Sequence, residues 1–95
     1  MTAPAPARTY VHHEPITATG RLSDVIIRRT GQGYDWATAT LTTPDRRRWP
    51  LEVWWAHLKT ARPQLANGTW VTVTGEVHTY NGPARIIAKQ VTAAP

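Results

Sequence analysis

Trp49-Pro-Leu-Glu-Val-Trp-Trp55 and Asn67-Gly-Thr-Trp-Val-Thr-Val-Thr-Gly75-Glu-Val77 are the two stretches that decide how this chain folds. Each alternates with a period of two, as a half-buried strand does. Between them, Ala56-His-Leu-Lys-Thr-Ala-Arg62 spans about two helical turns before Pro63 interrupts it. Asn67-Gly68 is a turn signal. A strand, a brief helix and a Val-x-Val-x-Gly strand describe a small closed β-barrel returning to its first strand. Ile16-Thr-Ala-Thr-Gly20-Arg-Leu22 supplies that first strand with a matching glycine, and a glycine inside a strand marks a bend or a close backbone approach.

Working outward, Ile16, Ala18, Gly20 and Leu22 point one way, and Thr17, Thr19, Arg21 and Ser23 the other. Val25-Ile26-Ile27 breaks the alternation, which predicts a bulge where the strand bends to serve both ends of the barrel. Thr30-Gly-Gln-Gly-Tyr-Asp35 reads as a hairpin loop. The second strand, Trp36 to Thr43, turns Ala37, Ala39 and Leu41 inward and Trp36, Thr38, Thr40 and Thr42 outward. Pro44-Asp45-Arg46-Arg47-Arg48 is the next turn. Strand four runs from Thr69 toward Tyr80, and Asn81-Gly82-Pro83 turns it into strand five, Ala84 to Val91. The order β-β-β-short α-β-β predicts an all-β, five-stranded OB-fold barrel. An SH3-like barrel has the same number of strands but normally no helix at that place. Residues 1–14 read as an Ala/Pro-rich, extended arm, 15–93 as the barrel and 94–95 as a tail.

Composition sets the outer limits. Ninety-five residues hold one domain with one modest core. Without cysteine there is no disulfide, no thiolate nucleophile and no thiolate zinc ligand. No apolar run approaches the ~20 residues of a membrane span, and the N-terminal residues lack the apolar region of a signal peptide. A cytoplasmic protein is the expectation. The net charge of +5 favours an anionic partner, most often nucleic acid. Nine of the eleven cationic side chains are arginine, which forks onto phosphate and stacks on bases.

The stretches Gly20-Arg-Leu-Ser, Arg28-Arg-Thr-Gly-Gln-Gly-Tyr-Asp-Trp-Ala-Thr-Ala-Thr-Leu-Thr-Thr43, Val53-Trp-Trp-Ala-His-Leu58 and Leu65 to Val77 carry a family likeness. Across them the chain resembles the bacterial and phage single-stranded DNA-binding proteins. The resemblance implies an OB domain with a base-stacking face and a first loop, holding Arg28, Arg29 and Tyr34, that grips the DNA backbone. It also implies stacking positions at Trp49 and Trp55. The loops between strands two and three and between strands four and five are shorter than the family's. No acidic C-terminal tail of the family's kind follows the barrel in this sequence. A reduced relative of primosome-type or mobile-element replication proteins is similar in shape.

Non-specific single-strand binding needs cations along the phosphate path and flat apolar surfaces that accept any base. Trp36, outward among the threonines Thr38 and Thr40, is the clearest stacking candidate. In strand three a one-residue slip inverts every side chain. If Glu52 faces water, Leu51, Val53 and Trp55 are core and Trp54 joins the binding face. The opposite register buries Glu52, which is costly without a partner. Trp54 is therefore expected outward and Trp55 inward, with Trp49 at the strand's mouth beside Arg46, Arg47 and Arg48. Those three arginines, with Arg28 and Arg29, are the expected phosphate contacts, and Tyr80 and Arg85 flank the last loop. Trp70 opens strand four away from that face and reads as a packing or subunit contact, together with Ile87.

Catalytic readings find no support in the residues. His12, His13, His57 and His78 show no metal-ligand spacing, the carboxylates are scattered, and no Gly-rich loop opens a helix. The expectation is a non-enzymatic protein that binds single-stranded nucleic acid, most readily DNA, without metal or cofactor, as a homo-oligomer serving replication, repair or recombination. RNA fits the same surface, since base stacking ignores the 2′-OH. The alternative is an OB module that docks on a replication or mobile-element protein through its tryptophans, because Trp and Arg also dominate protein interfaces.

Overall fold

The computed structural model describes residues 10–80 and 82–95. Five strands close into one barrel in the order β1-β2-β3-β5-β4. They are β1 (Glu14–Arg29), β2 (Asp35–Thr42), β3 (Arg48–Val53), β4 (Trp70–His78) and β5 (Arg85–Ala93). A helix, α1 (Trp55–Ala61), and a 3₁₀ turn (Arg62–Gln64) connect β3 to β4. This is the OB-fold.

β1 serves two neighbours. Its first half pairs antiparallel with β4, from Glu14 opposite Val77 to Arg21 opposite Trp70. Its second half pairs with β2, from Arg21 opposite Thr42 to Arg29 opposite Asp35. The predicted bulge lies between Ser23 and Ile26, where Asp24 takes a left-handed φ of 53°. A bulge frees backbone donors that need partners. Here Asn67 Oδ1 accepts the Val25 N–H at 2.9 Å, and Gly68 N–H donates to Leu22 O at 2.7 Å. The Asn67-Gly68 turn thus fastens the bend.

Gly20 and Gly75 are required by close approach. A Cβ at Gly20 would collide with the Thr42 carbonyl, and one at Gly75 with the Ile87 carbonyl. Gly75 lies at a second irregularity, where Thr74 opposes Gln90 but Gly75 opposes Ala88. The extra residue, Lys89, is turned outward beside Gln90.

The core is formed by the inward set, with Leu22, Leu41, Leu51, Val53, Val71, Val73, Val77 and Ile86 fully buried. Leu58 and Ala61, one turn apart on α1, add to it at the Val53 end. At the other end of β3 Trp49 is 3% exposed, under the edge of Tyr10 (centroids 5.1 Å apart) and the Arg47 guanidinium (4.0 Å from the ring).

Three expectations change here. The barrel unit begins before residue 15: Tyr10 packs on Trp49, and His13 N–H donates to Val77 O at 2.8 Å. The rest of the expected arm, residues 1–9, and the turn residue Asn81 lie outside the described residues. Trp49 is core, since it shares the parity of Leu51 and Val53 on a strand whose alternate residues face one side. Trp55 is not core. The strand ends at Val53, the period switches from two to 3.6, and the ring is 54% exposed.

Trp49→Ala is therefore expected to lower folding stability by ~3–5 kcal/mol, the range for a buried aromatic. Trp55→Ala should stay within ~1 kcal/mol of the parent, as exposed substitutions do. Urea denaturation followed by far-UV circular dichroism checks both, and equal losses would contradict this inside-outside assignment.

Candidate nucleic-acid interface

The outer face of β1, β2 and β3 carries the candidate residues in register. Directly paired residues of a sheet share a face, so Arg28 stands beside Trp36, Ile26 beside Thr38 and Glu52, and Ser23 beside Thr40 and Pro50. Arg21, Thr42 and Arg48 close the row at the far end. From Trp36 to Thr42 this strip is about 20 Å long at ~3.3 Å per residue.

Aromatic rings gather at one end. Trp36 and Trp54 stack with centroids 4.3 Å apart and planes 1° apart. Trp54 is the residue before α1, with extended backbone, so its side chain continues the outward direction of Glu52. The Glu52 carboxylate fixes its orientation by accepting the indole N–H at 3.1 Å. Trp55 meets Trp54 edge-on at 6.2 Å and stacks on Tyr34 at 5.1 Å. Trp55 and Tyr34, about half exposed, leave aromatic surface open to solvent. The four rings form one continuous platform. Trp36 faces outward into it, and Tyr34, expected in a loop that grips the backbone, instead stacks on Trp55. Trp54 is there because its extended backbone prolongs the alternation past Val53, and Trp55 joins it because the helix, not the strand, carries it.

The cations divide into held and open groups. Arg29 pairs with Asp35 at 2.9 Å, and Arg62 reaches the same carboxylate at 3.5 Å. The Arg29 hydrogen bond, with charge from both arginines, holds the Asp35 carboxyl below the usual range. Arg85 pairs with Glu52 at 2.8 Å and donates to Tyr80 O at 3.0 Å, so the one acid in the middle of the strip is neutralised. Tyr80 turns away from the platform and stacks on His12 at 3.8 Å. Arg28 Nε donates to Thr38 Oγ1 at 3.0 Å, with its guanidinium 5.8 Å from the Trp36 ring. Arg47 is committed to Tyr10 and Trp49. Arg21, Arg28, Arg46 and Arg48 have no acidic partner among the described residues.

Arg28 and Arg29 belong to the end of β1, not to the loop as expected, because strand pairing continues to Arg29 opposite Asp35. Arg21 was not singled out in sequence, although its outward parity was legible. It lines a cleft of about 540 Å³ with Trp70, Ser23, Asp24, Thr42 and Asn67 at the end of the strip remote from Trp36. Trp70 is half exposed there. Ile87 lies between Glu52 and Glu76, six residues along β4 from the level of Trp70. The two therefore do not form one apolar patch.

No protein-family model and no curated protein sequence matches the chain. Solved structures do share its fold. The second single-stranded DNA-binding protein (SSBb) of Mycobacterium smegmatis superposes with a TM-score of 0.73 at 18% identity, covering 85% of this chain and 88% of that one. A deletion mutant of the single-stranded DNA-binding protein of Thermus aquaticus gives 0.72 at 21% identity, over 85% of this chain and 40% of that one. The N-terminal domain of the PriB protein of Thermoanaerobacter tencongensis, solved as a dimer, gives 0.67 at 17%, over 85% and 96%. These likenesses show the fold: the barrel is an OB-fold that superposes on those of the named single-stranded DNA-binding proteins. Among the described residues no helix is long and apolar enough to cross a membrane.

Two indoles stacked this closely couple their transitions. With the edge-on neighbour of Trp54 removed by Trp55→Phe, an exciton couplet is expected in the circular dichroism, lost when Trp36→Phe or Trp54→Phe is added and kept when Trp70→Phe is added. A couplet surviving either of the first two additions would show that the stack is not there.

Proposed function

We infer that the protein binds single-stranded nucleic acid, most readily DNA, across the outer face of β1, β2 and β3. One observation carries this reading: a platform of Trp36, Trp54, Trp55 and Tyr34 shares a strip with open cations at Arg28, Arg21 and Arg48, with Arg46 in the turn that leads into β3. Bases stack on aromatic planes whatever their identity, and phosphates follow the cations, so binding is largely independent of sequence. Thr38, Thr40 and Ser23 supply small polar surface between the two ends. A groove of this length suits roughly four or more nucleotides, the lower end for one OB unit. The solved relatives of the same fold, named as single-stranded DNA-binding proteins, support the choice of ligand. A non-enzymatic cytoplasmic role in replication, repair or recombination follows from such binding. Arg29, Arg47 and Arg85 act by position: Arg29 holds Asp35, Arg47 covers Trp49, and Arg85 masks Glu52.

Quenching of tryptophan fluorescence by oligo-dT tests the reading. Trp36→Ala and Trp55→Ala should each weaken binding by ~1–3 kcal/mol with the fold intact. With four open arginines near the path, log K should fall with log salt at a slope of roughly −3, at ~0.7 per contact. Replacing Arg46 and Arg48 together by Ala should flatten the slope by ~1.4. Absence of quenching at low salt would sink the proposal.

So short a strip gains affinity when several barrels share one strand, since linked binding events reinforce each other. A homo-oligomer built through the Trp70 side follows, with Ile87 no longer part of the contact. Sedimentation at micromolar concentration should show a species above the 10.6 kDa chain mass, reduced to monomer by Trp70→Arg. A monomer in the parent, with and without oligo-dT, would exclude it.

A further inference from the structure

Outside the aromatic face, the segment entering β1 brings imidazoles together that lie far apart in sequence. His13, just before β1, and His78, at the end of β4, have ring centroids 4.7 Å apart. His12 is 4.0 Å from His13 and 4.9 Å from His78. His13 Nδ1 lies 3.0 Å from Glu76 Oε1. One donor atom each from His13, Glu76 and His78 falls within 4.8 Å of the others. Sequence spacing hid this set, because the pairing of β1 with β4 creates it.

We propose that His13, His78 and Glu76 bind a divalent first-row transition metal, with zinc the ion that two imidazole nitrogens and one carboxylate oxygen fit first. Donors of a tetrahedral zinc, each ~2.0–2.1 Å from the ion, stand about 3.4 Å from one another. The three groups must close by roughly an ångström, within reach of side-chain rotation because His13 is 60% exposed. Glu76 keeps a second oxygen 3.2 Å from Lys89 Nζ, the kind of outer partner that orients a metal-bound carboxylate. His12 forms the wall. Its Nδ1 accepts the Thr79 N–H at 3.0 Å and its ring stacks on Tyr80, which leaves the remaining proton on Nε2.

An ion here would tie the entry of β1 to the end of β4, beside the His13 N–H to Val77 O bond. The same segment carries Tyr10 over Trp49. The metal would act as a clasp on the folded state, raising the melting temperature with its concentration.

The test is calorimetric titration of zinc chloride into the full, tag-free chain at neutral pH, with cobalt(II) absorption as a second readout. One ion per chain and visible cobalt bands are expected. His13→Gln and His78→Gln should each weaken binding by at least ~10-fold, the scale at which even an outer-shell partner counts. His57→Gln, on α1 outside the cluster, should leave it unchanged. Far-UV circular dichroism confirms that each variant is folded. Absence of saturable zinc binding and cobalt bands in the parent, or zinc affinity that survives the His13→Gln/His78→Gln double variant or depends on His57, would overturn the assignment.

Discussion

One strand has to satisfy two partners, and the rest of the molecule depends on that constraint. β1 gives its first half to β4 and its second half to β2, and it can do so only by bending sharply within the barrel wall. The bend is made by the extra residue between Ser23 and Ile26 and by the missing side chain at Gly20, which lets the Thr42 carbonyl approach. It is held by Asn67 and Gly68, which arrive from the other side of the helical connection. Once β1 is bent, β2 lies across the front of the barrel and β4 across the back. The parallel contact of β3 with β5 then closes the wall.

That bend also decides what the two surfaces can do. On the front, Arg28 is carried past the bulge to stand beside Trp36, and β3 delivers Trp54 against the same indole. The hydrogen bonds and ion pairs there serve mainly to arrange rings and remove negative charge. Glu52 holds the Trp54 indole and is itself neutralised by Arg85. On the β4 side, the pairing that starts at Glu14 brings His13 beside Glu76 and His78. The barrel therefore builds a basic, aromatic face and a cluster of nitrogen and carboxylate donors from the same strand.

Much of this was legible in residue order. The five strands, the helix between β3 and β4, the bulge, the two glycines and the outward direction of Trp36, Thr38 and Thr40 all follow from local periodicity and steric rules. Such rules act between near neighbours. The tryptophans of the third strand were legible only in part. Trp49 obeys the same alternation as Leu51 and Val53, yet the three arginines beside it drew it toward the surface in a reading by composition. Trp55 departs from the alternation because the strand ends two residues before it and the helical period carries its side chain into solvent.

Residue order suffices for the barrel: its strand count, its inward set of small and branched side chains, its short helix and its basic surface. Each of these is set by period, by side-chain volume or by charge, all of which are properties of order in the chain. Which arginines remain open and which are held is set by the closed fold, because that depends on carboxylates distant in sequence. It alone paired Arg62 and Arg29 with Asp35, put Arg85 on Glu52 and laid Arg47 over Trp49. It alone assembled the platform from four rings on one strand, a loop, a helix and the residue that precedes that helix, and gathered His13, Glu76 and His78. Ring stacking and ligand clustering act over a few ångströms in space, and the distances that matter come into being only when the barrel closes.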